Sequence, residues 1–126
     1  DGNHLIDFRY DDITLLGFNR ALGKDGSRRY LLDTSTGDVI ASLPPNIGAA
    51  HFNETPVTWI FRAKSYYGII DEEGNILYED AKDPLTGVTK FRHGFSGGQK
   101  DNKKWGILKS DGTWLVHPAY DYIKLL

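Results

Sequence analysis

The chain has no cysteine and no methionine among its 126 residues, and it has only five prolines. Without cysteine it can form no disulfide, no thiolate nucleophile and no zinc–thiolate site. The missing initiator methionine predicts a processed or shortened chain. An apolar run of about 18 residues is also lacking, so we expect no membrane insertion.

An excess of charge of one sign is lacking as well. The 15 Lys and Arg residues nearly balance the 17 Asp and Glu residues, which leaves a net charge of −2. Proteins that bind nucleic acid usually present a strongly basic surface, so we expect no nucleic-acid partner. With 40% hydrophobic and 25% charged residues, the composition is typical of a globular domain and not of a disordered chain.

What the sequence does contain is a repeat. Three segments share an aromatic start, two aliphatic residues, a polar turn with glycine and two apolar residues. They are RRYLLDTSTGDVI (28–40), SYYGIIDEEGNIL (65–77) and KKWGILKSDGTWL (103–115). The corresponding positions Asp33, Asp71 and Lys109 lie 38 residues apart. The near-identical heptapeptides YDDITLL (10–16) and YDYIKLL (120–126) are interpreted as connectors that flank a repeat.

Each unit carries the signals of short antiparallel strands. Segments such as TWIFRA and YYGII are rich in aromatic and β-branched residues, and turns such as DEEGN place glycine where a hairpin requires positive φ. A single hairpin is marginally stable in water, so neighbouring units must stack. Propellers close with about four to eight blades, so three units favour an open array.

We therefore predict an all-β fold of three tandem antiparallel β-meander repeats of about 38 residues, each with about three strands, stacked as an open array. The whole chain, 1–126, is one repeat domain. It comprises a connector (1–16) and three repeats (17–46, 47–84 and 85–126).

The last copy resembles the WG repeat of bacterial proteins. It reads KWGIL from Lys104, then SDG, then WLV, with Pro118 and a Tyr120–Asp121 pair after it. The middle copy, YGIIDEEG (67–74), has Tyr in place of Trp, and the first copy has Arg29–Tyr30 where an aromatic–Gly pair is expected. The residues that define the repeat are Tyr67, Gly68, Gly74, Trp105, Gly106, Gly112 and Trp114.

The resemblance implies a β-rich array of the kind found on exported or surface proteins, without a general enzymatic activity. It implies a binding role and an exported or cell-envelope location in a bacterium. No pattern in the residues adds a catalytic, cofactor or metal site to this. We therefore expect that the protein is not an enzyme and needs no cofactor.

Several residue patterns resemble chemical motifs but lack the context that the chemistry requires. The histidines lack the spacing of a metal-binding pair, and the acids between 71 and 83 fit a solvated turn. Ser96 in GFSGG matches the letters of a nucleophile elbow, but that elbow requires a strand leading into a helix. A hydrolase would need a cleft that converges on His51, His117 or the acids.

The uneven charge and the aromatic residues predict where a partner binds. Residues 71–83 are strongly acidic and residues 90–104 are strongly basic, so the basic block could steer a charged partner. Trp59 occurs in one copy only, which frees it from the constraints of the repeat. The predicted partner-binding residues are Trp59, Tyr67, Lys90, Arg92, Lys100, Lys103 and Lys104.

The sequence thus predicts a non-catalytic module that binds another protein. It would act as an exported or surface adaptor, or as an immunity protein that occludes a toxin. The alternative is a carbohydrate-binding module that stacks sugar rings on exposed Trp or Tyr platforms.

Overall fold

The computed structural model describes residues 10–52, 56–63, 65–80, 82–101 and 103–124. All regular structure in these residues is β-strand. Three antiparallel four-stranded sheets follow one another along the chain, and each sheet has its strands in sequence order. This arrangement confirms the predicted all-β fold of tandem meanders. Within the same residues, no helix is long or apolar enough to cross a membrane.

The strands are short and evenly distributed. Sheet 1 consists of β1 (Asp12–Gly17), β2 (Arg20–Asp25), β3 (Arg28–Asp33) and β4 (Val39–Leu43). Sheet 2 consists of β5 (Gly48–Ala49), β6 (Val57–Arg62), β7 (Ser65–Asp71) and β8 (Ile76–Glu79). Sheet 3 consists of β9 (Gly87–Val88), β10 (Phe95–Gln99), β11 (Trp105–Lys109) and β12 (Trp114–Tyr120).

Each unit has four strands, whereas the sequence predicted about three. The additional strand is the first of each sheet. In sheets 2 and 3 this strand is only two residues long and begins with glycine, a residue that is depleted in strands. In sheet 1 it lies within the segment 1–16 interpreted above as a connector, whose part before Tyr10 lies outside the described residues.

The three sheets are joined by two hydrophobic clusters. One cluster contains Leu31 of sheet 1 and Ile70 of sheet 2, and the other contains Ile69 of sheet 2 and Leu108 of sheet 3. Ile69 and Ile70 are neighbours on β7, so their side chains point to opposite faces of the sheet. Both are 0% exposed. Sheet 2 is therefore covered on both faces, and the sheets stack in chain order.

The glycines that define the repeat have two different roles. Gly74 and Gly112 have φ angles of 81° and 87°, in the left-handed region that glycine adopts at little cost. Gly106 lies within β11, where the backbone of β12 comes close. A Cβ atom on Gly106 would lie 2.8 Å from the backbone nitrogen of Pro118. The glycine of the Trp–Gly pair is thus required by close strand packing.

We expect Gly106→Ala to lower the free energy of unfolding by about 1–3 kcal/mol, because its methyl group would meet backbone atoms of β12. Gly87→Ala is the matched control, since the nearest atom there is Oε1 of the Gln99 side chain at 2.9 Å, which can rotate away. Chemical denaturation measures both values. Equal losses of stability in the two variants would contradict the close approach at Gly106.

Candidate functional site

The residues predicted to bind a partner do not form one surface. Trp59 and Tyr67 are 1% and 3% exposed, so both side chains belong to the core. The basic residues lie towards opposite ends of strand β10. Lys90 and Arg92 lie near its first residue, Phe95, which exchanges two backbone hydrogen bonds with Arg92. Both basic side chains are exposed.

At the other end of β10, the turn to β11 carries Lys100, Lys103 and Lys104. Lys100 Nζ lies 2.8 Å from Asp83 Oδ2, and Lys104 forms an ion pair with Asp121. The hydrogen bond and the charge of Lys104 lower the pKa of Asp121 from its ordinary value. Two of the three lysines therefore already have acidic partners within the chain, which reduces the positive charge of this turn.

A cavity of about 320 Å³, here called the cleft, opens between sheets 2 and 3. Its walls are mainly apolar and consist of Ala50, Trp59, Tyr66, Val88 and Phe91. Its polar residues are His51, Thr58, Thr89 and Lys90. The rings of Trp59 and Phe91 are stacked, with centroids 5.6 Å apart and planes 22° apart. The cleft thus combines an aromatic wall with a cation.

Buried hydrogen bonds hold the aromatic wall in place. Trp59 Nε1 donates to Ser96 Oγ at 3.0 Å. Ser96 Oγ lies 2.8 Å from the carbonyl oxygen of Thr89, and the Thr89 hydroxyl accepts a hydrogen bond from the Gly97 backbone amide at 2.8 Å. Ser96 is 0% exposed and lies within strand β10. Ser96 of the GFSGG segment therefore has a structural role, because it connects sheet 3 to Trp59 of sheet 2.

A second cavity, of about 300 Å³, adjoins the cleft. It shares Thr89 and Lys90 with the cleft and is also lined by Arg92, Tyr122, Ile123 and Lys124. We call it the basic groove, because three of its lining residues, Lys90, Arg92 and Lys124, are cations. Among the described residues, no Asp or Glu lines either cavity.

Four of the six residues that line the basic groove, Thr89, Tyr122, Ile123 and Lys124, were missing from the sequence prediction. Tyr122 is 74% exposed, and Lys124 follows it two residues later. Both belong to the heptapeptide YDYIKLL, which was interpreted only as a connector. Its similarity to 10–16 indicated the repeat. A tyrosine two residues before a lysine is visible in the sequence, but the exposure of the Tyr122 side chain is not.

The acids and histidines considered above lie in different parts of the fold. Asp71 accepts hydrogen bonds from the backbone amides of Glu73 and Asn75, both at 2.9 Å, so it stabilises its own turn. His51 lines the cleft, whereas His117 lies on β12. In the part of the chain that the structure describes, no three His, Asp or Glu side chains are grouped so that they could hold a metal.

Comparisons with known proteins show the fold alone. No protein-family model and no curated protein matches the sequence. Among solved structures, the chain is similar to the computationally designed Ika4 protein, with a TM-score of 0.59 and 12% identity over 96% of this chain and 82% of that one. It is also similar to the computationally designed Ika8 protein, with a TM-score of 0.54 and 12% identity over 86% of this chain. The chain spans 38% of the length of the Ika8 protein.

Ser96→Ala removes the only acceptor recorded for the buried Trp59 indole N–H in the described structure. We expect a loss of about 1–3 kcal/mol in the free energy of unfolding, because a buried donor is left without a partner. Ser42→Ala, at an exposed position on β4, is the control. Denaturation followed by tryptophan fluorescence measures both. An unchanged midpoint for Ser96→Ala would show that the hydrogen bond does not stabilise the cleft.

The hydroxyl group of Tyr67 is buried and has no hydrogen-bond partner among the described residues. Burial raises the pKa of this phenol from its ordinary 10.0, Arg62 opposes the rise, and Glu79 adds to it. In the unfolded chain the Tyr67 phenol ionises near pH 10. In the folded protein its pKa is higher, so it loses its proton only at a higher pH. Ionisation of the unfolded chain therefore lowers stability as the pH rises above about 10.

Tyr67→Phe should raise the free energy of unfolding at neutral pH by about 1 kcal/mol, because it removes an unsatisfied polar group. It should also make the loss of stability above pH 10 less steep. Denaturation curves from neutral to alkaline pH test both effects. Tyr122→Phe, at a position that is 74% exposed, should change neither. A destabilised Tyr67→Phe variant would mean that the hydroxyl does have a partner.

Proposed function

We propose that the chain is a non-catalytic binding module built of WG-like β-repeats, and that it binds another protein through the cleft and the basic groove. The observation that supports this most is that the two cavities adjoin and share the lining residues Thr89 and Lys90. The cleft provides an apolar pocket for a side chain, and the basic groove beside it provides three cationic side chains. A segment of a partner protein fits both at once.

The chemistry of the two cavities defines the partner segment. The aromatic and aliphatic walls of the cleft favour a Phe, Leu or similar side chain. The cations Lys90, Arg92 and Lys124 favour Asp and Glu on either side of it, because complementary charge speeds association and selects the partner. An adaptor on an exported or surface protein, or an immunity protein that covers a toxin, would use such a segment.

The alternative is carbohydrate binding, which is favoured by two exposed tyrosines. Tyr120 and Tyr122 are 54% and 74% exposed. By contrast, Trp59 is buried, and Trp105 and Trp114 are half-buried. A sugar ring needs an accessible aromatic face on which to stack, so Tyr122 is the platform that this alternative would use.

Lys90→Glu should weaken the binding of an acidic peptide about tenfold, because it places a negative charge where the cleft and the basic groove meet. The probe is a labelled peptide with a central Phe or Leu flanked by Asp and Glu, titrated into the full chain. Tryptophan fluorescence reports binding because Trp59 lines the cleft. The affinity of the unmodified chain should fall as salt is added.

Arg28→Glu, an exposed position on sheet 1, is the control with the same change of charge. An equal loss of affinity in the two variants would show that only the net charge of the protein matters, and this would contradict the proposed site. Binding of neutral oligosaccharides that persists in Lys90→Glu and is lost in Tyr122→Ala would establish the alternative.

A further inference from the structure

The outer face of sheet 1, which is turned away from sheet 2, carries a small polar pocket. Leu31 packs against sheet 2, so its neighbours Tyr30 and Leu32 on β3 point outward. A cavity of about 220 Å³ opens on this outer face. Its lining residues, together called the tyrosine pocket, are Tyr10, Asp25, Arg28, Tyr30 and Val39.

The register of β2 and β3 brings these side chains together. Asp25 and Arg28 lie opposite each other, next to the turn that joins the two strands. Tyr30 lies two residues beyond Arg28, so it is on the same face, and it pairs with Gly23. The Tyr10 ring lies over Gly23, where a Cβ atom would be 2.9 Å from the nearest ring atom. The glycine therefore makes room for the aromatic side of the pocket.

Two tyrosine rings and one aliphatic side chain form the apolar part of the tyrosine pocket. The rings of Tyr10 and Tyr30 meet edge to face, with centroids 6.0 Å apart and planes 65° apart. Both residues are half-buried. Val39 pairs with Leu32, which places it on the same face of the sheet, and it is 42% exposed. The pocket thus offers an apolar group a partly covered surface that is still open to solvent.

Asp25 and Arg28 bring opposite charges to the tyrosine pocket. In the described part of the chain, neither side chain has a hydrogen-bond or ion-pair partner. The charged residues beside them in sequence have other contacts. Lys24 Nζ lies 3.8 Å from a carboxylate oxygen of Asp12, and Arg29 donates to a backbone carbonyl oxygen at 2.9 Å. The pocket therefore presents one available carboxylate and one available guanidinium group side by side.

We propose that the tyrosine pocket binds a free α-amino acid with an aromatic or aliphatic side chain. The ligand carboxylate accepts the paired hydrogen bonds that a guanidinium group donates, here from Arg28. The ligand ammonium group pairs with Asp25, and the ligand side chain lies against Tyr30 and Val39. Pockets for drug-sized ligands measure about 300–1,000 Å³. The smaller volume of about 220 Å³ suits a ligand of this size.

Recognition in the tyrosine pocket requires both charges on one small ligand. A ligand with only negative charge is repelled by Asp25, and a ligand with only positive charge is repelled by Arg28. The acidic segment proposed for the cleft therefore does not suit this pocket. The cleft lies between sheets 2 and 3, so the two sites bind their ligands independently.

Titration of L-phenylalanine into the full chain, followed by the NMR chemical shifts of the pocket residues, tests the proposal. The matched ligands are phenethylamine, which lacks the carboxylate, and phenylpropionate, which lacks the ammonium group. We expect saturable binding of L-phenylalanine and at least about tenfold weaker binding of each analogue. Shifts that do not saturate at millimolar L-phenylalanine, or equal affinities for the three ligands, would overturn the proposal.

Two variants assign the charged contacts. Asp25→Asn should weaken the binding of L-phenylalanine about tenfold and should not weaken that of phenylpropionate, which has no ammonium group. Arg28→Gln should weaken the binding of L-phenylalanine to a similar extent and should not weaken that of phenethylamine. Glu73→Gln, at an exposed position in the turn between β7 and β8, is the control and should leave all affinities unchanged. Equal losses in Glu73→Gln and Asp25→Asn would refute the assigned contact.

Discussion

The fold depends on sheet 2 being covered on both of its faces. Four consecutive residues of β6, from 57 to 60, are buried, which a strand permits only when a layer packs on each side. The one polar side chain in this run is Thr58. Its hydroxyl donates to the carbonyl oxygen of Ala50 at 2.8 Å, so its burial leaves no unsatisfied group. The contacts between units therefore stabilise the stack, as in other repeat proteins.

The three copies differ in which strand carries glycine at one cross-strand pair. The middle and last copies have Gly68 and Gly106 where a neighbouring strand comes close. The first copy has Tyr30 at this position, opposite Gly23 of β2. The Tyr30 ring contacts Tyr10 edge to face, with centroids 6.0 Å apart. In the first copy the glycine of this cross-strand pair therefore lies on β2. In the other two copies it lies on β7 and β11, opposite Ile60 and Gly98.

Much of this architecture could be predicted because it is local. The turn glycines, such as Gly74 and Gly112, and the run of strand residues on β7 follow from periodicity and turn chemistry. The burial of Trp59 could not be predicted in this way. Its occurrence in a single copy suggested freedom from the repeat, yet its indole pairs with Ser96 across an interface between sheets. Only the stacking of distant segments determines that contact.

The proposed binding site was difficult to predict for a related reason. A block of basic residues is visible in the sequence, but Lys100 and Lys104 are paired with acids from elsewhere in the chain, and such partners cannot be read from local charge. The cleft itself is lined by residues just after the two-residue strands β5 and β9. Because these strands end so early, the chain leaves the sheets there and an opening remains between them. The two shortest strands therefore mark the place where the stack opens into the cleft.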